Sequence, residues 1–279
     1  MTFQGTPRWW QWPTVLSLDA PLVSVLWQAL LARVVLLRLD WSATVVLGLS
    51  VWLAYAADRW IEGWRVDRRV VQTLRHGFYQ RFTWPVAAVW SVVLVVDVWL
   101  ALSRLSAFDL LAGSMLLMAA VAYLLSHQLV HRHHPWRVPK EICVAALLSG
   151  GVAVFLLRAP AVERLTMPLA LFGLLCLANT ALISVWERHV DRAQGQTSLA
   201  IDYGGAAPVI HLLPWLIAAL AVASVLTHDD VSRVAAVCAG ASALLLATID
   251  RVEPRIGWQA ARVLSDVALM SPVVPLIWP

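Results

Sequence analysis

The stretch "AYAADRWIEGW", residues 54–64, follows an apolar run and gives way to arginines. Asp58 and Glu62 are four residues apart, so on a helix they share one face about 6 Å apart along the axis. Two carboxylates so placed repel each other unless a cation stands between them or water dilutes both. A solvated helix end is the plain reading, and a metal site is the sharper one. The apolar run in front of this stretch, and others like it along the chain, decide the fold.

Of the 279 residues, 60% are hydrophobic and 14% are charged, with a mean hydropathy of +0.72. Soluble domains carry about 25% charged residues. The chain therefore reads as an all-α, polytopic membrane protein in a single domain, residues 1–279. The net charge of +4 serves topology and implies no nucleic-acid partner. Cys143, Cys176 and Cys238 lie scattered in apolar runs and form neither a disulfide framework nor a zinc pattern. The opening "MTFQGTPRWWQWP" lacks the basic start and short apolar core of a cleavable signal.

A membrane-crossing helix needs about 20 mostly apolar residues. Nine candidate spans fall near 15–37, 41–58, 84–103, 107–130, 141–158, 166–187, 207–226, 231–249 and 259–278, expected to surround a central cavity. On that count, residues 59–83, 131–140, 188–206 and 250–258 share the side of the N-terminus. Fifteen Lys and Arg residues lie on that side and five on the other, with Arg33 inside the first span. The bias puts the N-terminus and these loops in the cytoplasm, in a bacterial inner or cell membrane. Trp9, Trp10, Trp12, Trp41, Trp84 and Trp278 sit at span ends, as interfacial belts do.

A second acidic pair occurs in "VWERHVDRAQGQTSLAIDYG", residues 185–204. Glu187 and Asp191 repeat the four-residue spacing at the cytoplasmic end of the sixth span, and Gly195 follows four residues later. One such pair is usually a charged helix end, but two at matched depth beside arginines point to function, since carboxylates near a membrane are costly. Oxygen ligands with arginines alongside suit Mg²⁺ bound together with phosphates.

With these residues the chain resembles the UbiA-type family of intramembrane prenyltransferases, as a divergent member. That family has nine transmembrane helices and acidic motifs on the second and sixth. Its first motif, Asn-Asp-x-x-Asp-Arg-x-x-Asp then Gly, aligns with "AYAADRWIEG", so Asp58, Arg59, Glu62 and Gly63 fall on family positions. Glu187, Asp191, Gly195 and "TSLA" (197–200) follow the order of the second motif. "PKEI" (139–142) is similar to a family loop carrying a basic residue, here Lys140. Ala54 and Tyr55 replace the leading Asn and Asp, and Glu62 and Glu187 stand where Asp is usual.

The resemblance implies Mg²⁺-dependent transfer of a polyprenyl group from a polyprenyl diphosphate to a small acceptor, an aromatic ring among the candidates. Asp58, Glu62, Glu187 and Asp191 would be the catalytic, Mg²⁺-binding residues. Arg59, Arg75, Lys140, Arg188 and Arg192 would neutralise phosphate charge, while Asn179 and Tyr55 would line the substrate cavity. The isoprenoid tail would lie between helices and leave sideways into membrane lipid.

Two other classes stay open. Ala54 cannot hold a metal, which fits an isoprenoid-lipid binding or transport protein without chemistry. The cluster "HQLVHRHHP" (His127, His131, His133, His134) offers histidine spacing suited to a di-iron membrane hydroxylase, which needs about eight such ligands. His76 and His189 read as solvated loop residues. Asp97, Asp266 and Arg33 read as mutual pairs or packing contacts within the spans.

Overall fold

The computed structural model describes residues 7–65, 73–129, 138–227 and 230–278. Among these the chain is all-α. The helices in order are α1 (Trp12–Val15), α2 (Asp19–Val34), α3 (Trp41–Arg65), α4 (Leu74–Arg81) and α5 (Thr83–Arg104). They continue as α6 (Ala107–Leu129), α7 (Lys140–Val154), α8 (Thr166–Trp186), α9 (Arg188–Ala193) and α10 (Leu199–Asp202). The last are α11 (Ala207–Thr227), α12 (Asp230–Ile256), α13 (Trp258–Ala268) and α14 (Val273–Ile277).

α8 forms the centre of the bundle. Its Leu171, Phe172, Leu175 and Leu182 are fully buried, and it packs against α7, α11 and α12. Close approach to α7 depends on Gly173, where an added Cβ would stand 2.8 Å from Ser149 Oγ. Small residues at such contacts let membrane helices draw together. Trp27 of α2 stacks on Phe172 at 5.0 Å and donates its indole N–H to the Leu269 carbonyl at 2.9 Å. That bond ties the start of the chain to its end.

α5 and α6 face outward. The Ala107–Ser126 stretch of α6 has 6% of its residues buried, against 56% for the stretch containing α8. Val92, Val95, Trp99, Leu102, Met115, Leu117 and Met118 lie exposed. So large an apolar surface is stable where lipid rather than water covers it. The protein is a polytopic membrane bundle.

The span count differs from the sequence expectation. Among the described residues six helices are long and apolar enough to cross, and a bent pair, Trp9–Val15 with Asp19–Val34, makes seven if it counts as one. Helix is present at the fifth and ninth expected positions, but α7 has 15 residues and α13 has 11. At 1.5 Å per residue these rise roughly 22 and 16 Å, less than the ~30 Å hydrocarbon core. α3, by contrast, continues to Arg65, beyond its expected end at residue 58.

The bent pair turns by 78° at Ser17, whose φ of 60° is left-handed. A non-glycine residue adopts that conformation at a cost, and the freed helix carbonyls need donors. Arg59 supplies one to the Thr14 carbonyl and another to Ser17 Oγ at 3.0 Å. Trp52 donates to the Leu16 carbonyl at 3.0 Å, and the Tyr79 hydroxyl pairs with Ser17 Oγ at 2.8 Å. Arg59 also lies 3.6 Å from Asp19. The bend is thereby held from α3 and α4.

Candidate active site

The first acidic pair occupies the last turns of α3, and the second brackets the junction of α8 and α9. Glu187 closes α8 and precedes α9, yet the Asp191 N–H still reaches the Glu187 carbonyl at 2.9 Å. The two carboxylates therefore stay one turn apart across the break. Gly195, just past the end of α9, has φ 60°. The Gly195 N–H reaches the Arg192 carbonyl at 3.1 Å, and the Gln196 N–H reaches that of Asp191 at 2.8 Å. This doubly bonded, left-handed stop turns the chain toward α10, and glycine fills it without steric cost.

Two cations link the motifs. The charges of Lys140 and Arg75 each act on Asp58, Glu62, Glu187 and Asp191. Lys140 opens α7, and Arg75 lies in α4 with Nη2 3.3 Å from Glu187 Oε2. The next residue of α7, Glu141, accepts the Leu199 N–H at 3.1 Å and so joins α7 to α10. Burial pushes the Asp191 carboxyl above the usual carboxylate range, and Lys140 opposes that shift.

His76, expected to be solvated, is fully buried. Its Nε2 lies 3.3 Å from Glu62 Oε2, and its Nδ1 is 3.4 Å from the Gln194 side-chain nitrogen. Burial holds the imidazole below its ordinary pKa, against the pull of Glu62, so it is neutral at pH 7. Gln194 donates to Nδ1 and Nε2–H then donates to Glu62. One ring thus joins the two motifs.

Arg262 of α13 also was not foreseen at the site. Its Nη1 contacts both carboxylate oxygens of Glu187 at 2.6 Å, and Glu187 is 4% exposed. Arg75 and Arg262 line one groove with Thr14, Leu74, Trp258 and Gln259.

Other expected site residues gather elsewhere. Asn179 donates to Asp266 Oδ1 at 3.0 Å, and Asp266 also meets Asp19. Arg59 stands 5.7 Å from the Tyr55 ring centroid, and the charges of Asp19 and Asp266 act on Tyr55. Tyr55, Arg59 and Asn179 thus belong to a second polar cluster that includes Asp19 and Asp266. Arg192 is exposed on α9, Arg188 is half-buried, and His189 is exposed with its ring edge-on to Trp258 at 5.9 Å. Arg33 does not pair with Asp97: it donates to the Pro275 carbonyl at 2.8 Å, while Asp97 accepts from Ser50 at 2.7 Å. The side chains of the His127–His134 cluster lie outside the described residues.

Among the described residues no three His, Cys, Asp or Glu side chains converge as a metal cluster. Mg²⁺ needs fewer protein ligands than that, taking one or two carboxylates with waters and phosphate oxygens. Asp58 and Glu62 fit this demand. Glu187 does not, because a guanidinium contacts both of its oxygens.

Among solved structures, the chain is similar to the apo structure of a UbiA homolog from Aeropyrum pernix K1, with a TM-score of 0.60. The match covers 93% of this chain and 98% of that one, at 15% identity. This chain has the UbiA-type fold. No family model matches the sequence, and no curated protein does.

Proposed function

We propose that the protein transfers a polyprenyl group, within the membrane, from a polyprenyl diphosphate to a small acceptor. The observation that carries this reading is the convergence of both acidic motifs on Lys140 and Arg75. Repelling carboxylates and half-buried cations grouped in this way match a ligand that brings its own metal and its own negative charge. A diphosphate with Mg²⁺ is such a ligand.

Arg75 and Lys140 take the diphosphate oxygens, and Asp58 and Glu62 hold Mg²⁺. Bound there, Mg²⁺ supplies Lewis-acid polarisation of the leaving group. The allylic C–O bond breaks and its electron pair leaves on the diphosphate, where fixed cations stabilise the new charge. The acceptor then forms the new bond and releases a proton. Neutral His76 keeps Glu62 oriented, and the apolar helices exclude water from the allylic cation. The site end of the bundle faces the cytoplasm, on the Lys and Arg bias.

The test is pyrophosphate release from polyprenyl diphosphates by the purified protein in lipid, with and without Mg²⁺ and with a panel of acceptors. Release that requires Mg²⁺ and falls by two orders of magnitude or more (about 2.7 kcal/mol) in Asp58→Ala and Asp191→Ala supports transfer. A second reading rests on Ala54, which offers no ligand atom where the family has Asn. Under it, the lipid diphosphate binds and nothing is released.

A further inference from the structure

We infer that Arg262 replaces a divalent ion at the second acidic pair, so the site holds one metal ion, at Asp58 and Glu62, rather than two. This deepens the proposed transfer reaction and rests on it. The inference starts from Glu187. Its two oxygens each lie 2.6 Å from Arg262 Nη1, and Arg75 adds a third contact at 3.3 Å. The carboxylate is 4% exposed. A metal ion binding Glu187 would have to displace a guanidinium that has no second carboxylate contact of comparable length among the described ion pairs. It would also leave a half-buried guanidinium charged without its carboxylate, which is costly.

The first pair is built differently. Glu62 meets an imidazole rather than a guanidinium, and it is more exposed, with 23% of its side chain accessible. The described contacts of Asp58 include no ion pair within salt-bridge distance. A cation between Asp58 and Glu62 therefore displaces no guanidinium.

Arg262 keeps donors for a ligand as well. The Nε atoms of Arg262 and Arg75 are buried and lack hydrogen-bond partners, and both residues line the groove beside Glu187. Glu187 fixes the two guanidiniums, and their remaining N–H groups meet phosphate oxygens. Arginine presents such donors in a rigid fork. On this reading Glu187 positions the arginines and does not bind metal. The charge of Asp191 acts on Lys140, which keeps that cation on the same side of the site.

The experiment counts Mn²⁺, added alone, on the purified full-length protein in lipid nanodiscs, from loss of the free-ion spin-resonance signal. The expected counts are one per chain for the unmodified protein, none for Asp58→Asn and one for Glu187→Gln. Arg262→Gln, which frees Glu187, is expected to bind a second ion. Should Arg262→Gln fail to fold, the unmodified protein and Glu187→Gln decide the matter between them. Two ions on the unmodified protein with one lost in Glu187→Gln would overturn the inference and leave the transfer reaction standing. No bound Mn²⁺ on the unmodified protein would overturn the inference and leave the transfer reaction to its own test of pyrophosphate release.

Discussion

His76 Nε2 lies 3.3 Å from Glu62 Oε2, and the opposite ring nitrogen lies 3.4 Å from the side-chain amide of Gln194. A single buried imidazole therefore spans from α3 to the turn that ends α9. Removing it leaves polar groups without partners inside the bundle. His76→Ala is expected to cost about 1–3 kcal/mol, read as a lower melting temperature in detergent. An unchanged melting temperature would show that the ring carries no load.

Arg59 serves the bend at Ser17 and the nearby Asp19. Its alanine variant strands a buried carboxylate and two acceptors. The expected loss of stability is about 3–5 kcal/mol. Arg59→Lys keeps the charge but not the forked donors, and should fall between the two. If pyrophosphate binding drops while the melting temperature holds in Arg59→Ala, the residue contacts the ligand instead.

Gly195 holds a φ of 60° at the end of α9. Gly195→Ala is expected to cost roughly 1–2 kcal/mol, the penalty of placing a Cβ in the left-handed region. Gly195→Asn should cost less, because asparagine visits that region more readily. Chemical denaturation of the two variants side by side gives the ranking.

Lys140 acts on every motif carboxylate from the start of α7. Lys140→Met should weaken binding of inorganic pyrophosphate with Mg²⁺ by about tenfold to a hundredfold, equivalent to one charged hydrogen bond. Calorimetric titration measures it. Equal affinity in the variant would remove Lys140 from the phosphate site.

Asp97 is a different kind of buried carboxyl. Ser50 donates to one oxygen at 2.7 Å, and the other oxygen has no partner. Asp97→Leu removes a group that the lipid-facing α5 has no use for, and the Ser50 hydroxyl can turn to its own helix. The melting temperature is expected to stay level or rise. A marked fall in transfer activity in this variant would give Asp97 a role.

The helices that carry both motifs were legible because a long apolar run has one stable form in a membrane. α3 and α8 lie where the runs from residues 41 and 166 place them. The four-residue acidic spacings were legible for the same reason, since one helical turn converts sequence distance directly into space. Partners that meet across the fold were not. Arg262 is 75 residues from Glu187, and its place in the sequence fits a topology signal equally well. His76 follows an arginine in a polar segment and shows nothing of its burial. The bend was hidden too, because its left-handed residue is a serine rather than a glycine. α7 and α13 read as full crossings from hydropathy, which measures composition and not where a helix stops.

The sharp turn at the start of the bundle also has a history. Ser17 is separated from Arg59 by 42 residues and from Tyr79 by 62. During synthesis the N-terminal portion of a chain emerges first. α2 therefore leaves the ribosome ahead of both stabilising partners. The bent pair waits for later segments to fix its direction. A chain halted after α2 has nothing to hold that corner, so the bent pair is finished only when α3 and α4 arrive.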